Sequence, residues 1–67
     1  MFTVTLEASR VNAGLTQTEL AEKIGVTRAT VANWETGKAI IPATALKKLS
    51  ELSGIPMDFI FVPEKAN

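Results

Sequence analysis

Arg28 and Asn33 carry the side chains best suited to selective surface chemistry, a guanidinium fork and a carboxamide, each able to form paired hydrogen bonds. At roughly 100° per residue, Arg28, Ala29, Ala32 and Asn33 fall on one side of a helix and Val31 and Trp34 on the other. Trp34, the single tryptophan, is therefore expected in the core rather than on a stacking surface. Catalysis has little to work with. The 67 residues include no His and no Cys, which removes the commonest general acid/base and the strongest side-chain nucleophile. No paired-carboxylate or Ser-Lys spacing replaces them, so the chain is not expected to be an enzyme. Disulfides are excluded, the usual zinc ligands are missing, and neither a metal nor a cofactor is expected.

These side chains need a scaffold, and the length allows one small domain. A chain this short buries only about 60% of the surface its unfolded form exposes, so it depends on a dense apolar core. The 46% hydrophobic share is enough to build one. The longest apolar runs, Ala39-Ile40-Ile41 and Phe59-Ile60-Phe61-Val62, fall far short of the ~20 residues that span a bilayer. The start, Met1 to Leu6, lacks the basic and apolar pattern of a secretory signal, so a cytoplasmic location and no membrane partner are expected. Lys and Arg balance Asp and Glu at zero net charge, which gives no global attraction to a polyanion.

Gly14, Gly25, Gly37 and Gly54 read as stops that divide the chain into helix-sized pieces. Phe2 to Ala13 suits a first helix ending at Gly14, although Phe2-Thr3-Val4-Thr5-Leu6 also alternates like a strand. Thr16-Gln17-Thr18-Glu19 is a capping box that opens a second helix with Leu20, Ala21 and Ile24 as its apolar stripe. Gly25 closes it, and Thr27 caps the third helix after the turn Gly25-Val26-Thr27. Pro42 suits the first position of a fourth helix with Ala45, Leu46, Leu49 and Leu52 inward, closed by Gly54. Pro56 opens a short fifth helix from Met57 to Phe61. The expected architecture is all-α: a five-helix bundle without strands over residues 1–62, and a frayed tail over 63–67.

Ala21, Gly25 and Val31 have the spacing of a helix-turn-helix: a small residue at the helix crossing, a glycine in the turn, and an apolar residue in the angle. The run Gly14-Leu15-Thr16-Gln17-Thr18-Glu19-Leu20-Ala21-Glu22-Lys23-Ile24-Gly25-Val26-Thr27, with Val31-Ala32-Asn33-Trp34-Glu35-Thr36-Gly37-Lys38, resembles the phage repressor/Cro, or XRE-type, helix-turn-helix family. Gly54-Ile55-Pro56-Met57-Asp58-Phe59-Ile60 resembles that family's closing helix, so the likeness spans nearly the whole chain.

The resemblance implies a lambda-repressor-like bundle that binds double-stranded operator DNA as a homodimer, with helix three in the major groove. It implies a Cro-like transcriptional regulator, a repressor. Arg28, Ala29 and Asn33 match base-reading positions, with Thr30 and Ala32 secondary. Arg28 would pair with guanine, Asn33 with adenine, and Ala29 would pack on a thymine methyl. Gln17, Thr27, Thr36, the Gly37 amide and Lys38 match phosphate-contacting positions. Arg10 and Glu35 match a buried salt bridge.

One departure stands out. Where relatives often carry Lys or Arg after the Gly37-Lys38 match, this chain has Ala39-Ile40-Ile41, which removes charge from the expected DNA edge. Ile40, Ile41, Met57, Phe59 and Phe61 form a candidate apolar patch for a second copy or a protein partner. Lys47, Lys48 and Glu51 read as the solvated face of the fourth helix. Two alternatives remain at this stage: an antitoxin-like or antirepressor-like interaction module on the same scaffold, and the DNA-binding domain of a longer regulator.

Overall fold

Threonine caps set the starts of three helices in the computed structural model, which describes residues 3–63. Thr5 opens α1 (Leu6–Asn12), Thr16 opens α2 (Gln17–Ile24) and Thr27 opens α3 (Arg28–Thr36). Each hydroxyl accepts a hydrogen bond from the backbone N–H three residues on, at 3.0, 3.1 and 3.2 Å respectively. These bonds satisfy donors that a helix start otherwise leaves unpaired. Glu19 completes the capping box by accepting from the Thr16 N–H at 2.9 Å. The same bond holds the Glu19 carboxyl below the usual carboxylate range. α4 (Ala43–Ser53) starts without a side-chain cap, after Pro42 in extended conformation. The proline thus precedes the first helical residue instead of occupying it.

The expected five all-helical segments are corrected in two places. The fifth is a single 3-10 turn, Met57–Phe59, followed by an extended pair, Ile60–Phe61 (β2), so the described residues form four α-helices. Val4–Thr5 (β1) pairs with β2 in parallel, Val4 opposite Ile60 and Thr5 opposite Phe61. The alternation before Leu6 was thus a real strand signal, and the helix begins only at Leu6. Pro56 and Pro63 confine the last segment, and the extended backbone at Ile60 lets its side chain reach the core at 6% exposure. Phe2 and the tail residues 64–67 lie outside the described residues.

The core draws on all four helices: Leu6 from α1, Leu20 and Ala21 from α2, Val31 and Trp34 from α3, Ala45 and Leu49 from α4, with Ile41 from the α3–α4 connection and Ile60 from β2. Ile41, at 6% exposure, is a core residue, which corrects its assignment to the apolar surface patch. Its neighbour Ile40 is 57% exposed.

Ser9 is the polar exception in the core. It is fully buried in α1, and its hydroxyl has no hydrogen-bond partner. An unpaired buried hydroxyl costs about 1–3 kcal/mol, and Ala is the better helix former. Ser9→Ala is therefore expected to stabilise the protein by about 1 kcal/mol, read as a higher urea midpoint at unchanged m-value. A lower midpoint would mean that the hydroxyl does have a partner.

Candidate nucleic-acid interface

The turn between α2 and α3 depends on Gly25, whose φ of 89° lies in the left-handed region that side chains rarely enter. There the N–H groups of Gly25 and Val26 both donate to the Ala21 carbonyl, at 2.8 and 2.9 Å. The helix end is satisfied, and α3 begins only three residues later, at Arg28. Leu20, Ala21 and Val31 are all buried where the two helices meet. α3 then presents its outer face: Arg28, Ala29 and Asn33 exposed, Thr30 and Ala32 half-buried, Val31 and Trp34 buried.

Glu35, at the far end of α3, ties this helix to the others. Its Oε2 accepts from Arg10 Nε at 2.7 Å, and its Oε1 accepts from Gln17 Nε2 at 2.9 Å and more weakly from Arg10 Nη2 at 3.5 Å. Arg10 Nη1 also donates to the Leu15 carbonyl at 2.8 Å. The Arg10 and Glu35 side chains are only 11% and 8% exposed. One carboxylate thus connects α1, the start of α2 and the end of α3. The sequence pattern treats Gln17 separately from the Arg10–Glu35 pair, whereas the fold joins all three. One Gln17 amide hydrogen is engaged, and the second is left for an external acceptor. The contact of Arg10 with exposed Glu7 at 3.8 Å adds little.

The other residues matched to phosphate contacts differ in what they have to offer. Lys38 is exposed beside the left-handed Gly37. The Thr36 hydroxyl donates back to the Ala32 carbonyl at 3.0 Å, and the Gly37 N–H to the Trp34 carbonyl at a long 3.4 Å. Both hydrogens must leave internal carbonyls to meet a phosphate. Thr27 Oγ1 accepts the Thr30 N–H and lies 2.9 Å from Thr30 Oγ1.

Of the apolar patch, Ile40 protrudes from the α3–α4 connection, and Phe59 and Phe61 are 40% and 53% exposed near the chain end. Met57 is half-buried. Among the described residues, no group of three or more His, Cys, Asp or Glu gathers to hold a metal. Nor, among the described residues, is any helix long and apolar enough to cross a membrane.

Comparison with known proteins agrees with this geometry. A helix-turn-helix family profile matches residues 6–60. A curated relative, described as an SPbeta prophage-derived uncharacterized HTH-type transcriptional regulator, YonR, of Bacillus subtilis (strain 168), is 35% identical over 60 residues. The match covers 90% of this chain and 56% of that protein, so the chain spans little more than half the relative's length. No solved structure gives a significant match. With its turn glycine, its three-helix carboxylate link and a profile match from α1 to β2, the chain belongs to the XRE-type helix-turn-helix family.

Proposed function

We propose that this protein is a sequence-specific transcriptional regulator, Cro-like and acting as a repressor, that reads operator DNA through α3 in the major groove. The observation that carries the reading is the row Arg28, Ala29 and Asn33, exposed on a helix whose opposite side is anchored by Val31, Trp34 and the Glu35 link. Arg28 pairs with guanine O6/N7, Asn33 with adenine N6/N7, and Ala29 meets a thymine methyl. Thr30 and Ala32 complete the reading surface. Gln17, Thr27 and Lys38 hold phosphates, joined by Thr36 and the Gly37 amide once these release their internal carbonyls. Such contacts set register without reading sequence.

Two copies bind, one on each half-site, and the exposed Ile40, Phe59 and Phe61 supply apolar surface for contact between them. An operator binder works where the DNA is, in the prokaryotic cytoplasm or nucleoid. The cation count supports the need for two subunits. Arg28, Lys38 and at most Lys23 face the DNA from each copy, so the logarithmic salt slope is expected near −3 per subunit, from about −0.9 per neutralised phosphate. Titrations across salt concentrations measure it, and a slope near −8 per subunit would require a different binding face.

Selection from random duplex DNA tests the reading as a whole. It predicts a two-fold symmetric motif with half-sites about one helical turn apart. No enrichment by the folded protein at low salt contradicts it. That result would favour the second reading, a partner-binding module of antitoxin or antirepressor type, which draws on the same exposed Ile40, Phe59 and Phe61. The match to 56% of its relative also fits the DNA-binding portion of a longer regulator.

A further inference from the structure

The hydroxyl pair at the start of α3 links a backbone contact to a base contact. Thr27 Oγ1 accepts the Thr30 N–H at 3.2 Å and sits 2.9 Å from Thr30 Oγ1, with either oxygen free to be the donor. A hydroxyl has one hydrogen and two lone pairs. Without DNA, two arrangements satisfy the pair: Thr27 donates to Thr30, or Thr30 donates to Thr27. A phosphate removes this freedom. Phosphate oxygens are charged and can only accept, and charge-assisted hydrogen bonds are roughly twice as strong as neutral ones. The Thr27 hydrogen therefore turns to the phosphate. Thr27 Oγ1 then uses both lone pairs inward, one on the Thr30 N–H and the other on the Thr30 O–H.

With its only hydrogen committed to Thr27, Thr30 has nothing left to donate. We infer that, on operator DNA, the half-buried Thr30 acts toward the base edges as a hydrogen-bond acceptor alone, its polarity set by the phosphate bound at Thr27. In the major groove, cytosine N4 and adenine N6 are donors, the latter beside the acceptor N7, whereas guanine (O6 and N7) and thymine (O4) present acceptors alone. Thr30 thus selects cytosine or adenine on the strand it faces and opposes lone pairs to guanine or thymine. This inference rests on the operator reading above and adds to it a residue that chooses by hydrogen-bond direction, a choice Thr alone does not make because its hydroxyl can both donate and accept.

The test is binding-site selection with the wild type, Thr30→Val and Thr27→Ala, followed by titration on the selected site carrying each base at the position that Thr30→Val alters. The wild type is expected to favour cytosine or adenine there, and Thr30→Val to reduce that preference by roughly fivefold, the scale of one net hydrogen bond. Thr27→Ala, melted first to check its fold, frees the Thr30 hydrogen and is expected to narrow the gap between donor and acceptor bases at the same position. A wild-type preference for guanine or thymine there overturns the inference. So does a Thr30→Val selection identical to wild type, or full discrimination in folded Thr27→Ala. If the wild type enriches no sequence at all, the operator reading itself fails, a result distinct from any of these.

Discussion

Glu35→Ala is expected to lose about 3–5 kcal/mol of stability, because it strands a charged Arg10 whose side chain is 11% exposed. Small domains hold roughly 0.05–0.15 kcal/mol per residue, so for 67 residues the loss is comparable to the whole. The variant should be largely unfolded at 37 °C. The effect arises from an uncompensated charge more than from a strong bond: removing both charges together, as Arg10→Met with Glu35→Leu, should recover most of the loss. What the double variant does not recover is geometric. The Gln17 amide loses its 2.9 Å acceptor and the Leu15 carbonyl its 2.8 Å donor, so the start of α2 is held less firmly against α3. Urea unfolding of the wild type, both single variants and the double variant measures the coupling. A single-variant loss below about 1 kcal/mol would mean that the site is wetter than its burial indicates.

Arg28→Ala separates reading from folding. Arg28 is the first residue of α3 and exposed, and Ala is at least as good a helix former there, so stability should change by less than about 0.5 kcal/mol. DNA choice should change far more. Loss of a bidentate guanine contact removes about 1–3 kcal/mol of discrimination, from fivefold to more than a hundredfold, at one base pair in each half-site. The salt slope should also become shallower by about one per subunit, since one cation fewer stands at the DNA. Competition between the best operator and its single-base variants measures the first effect, and titration across salt concentrations the second. Equal discrimination by Arg28→Ala and wild type would remove Arg28 from the reading set and leave selectivity to Asn33 and its neighbours.

The helix-turn-helix was legible because its signals are local. Thr16 and Glu19 cap each other within one turn, Gly25 takes a conformation for which glycine is suited, and Val31 and Trp34 fall inward on helical phase alone. The chain ends were harder to read because their structure comes from distant partners. Val4 and Ile60 pair with each other across nearly the full length of the sequence, and although the alternation before Leu6 hints at an extended start, no window of neighbouring residues names its partner. The same limit applies to Ile40 and Ile41, adjacent residues of one type, of which only the fold shows which is buried. Ser9 had no local signature either. A serine in a helix reads as surface until the packing of α1 encloses it. At the site, periodicity identified the outward face of α3, and family likeness paired Arg10 with Glu35. The place of Gln17 on the same carboxylate depends on side chains from three helices converging, which sequence spacing does not encode.

Backbone amide shift mapping during titration with a selected duplex tests the central claim most directly, the placement of α3 in the major groove. Docking of α3 in the groove should give the largest shifts at Arg28, Ala29, Thr30, Ala32 and Asn33, with a second group at Gln17 and Lys38, and small shifts along the Lys47 and Lys48 face of α4. Largest shifts on α4 or around Met57–Phe61, with α3 unaffected, would contradict it and make the row Arg28, Ala29 and Asn33 ordinary solvated surface.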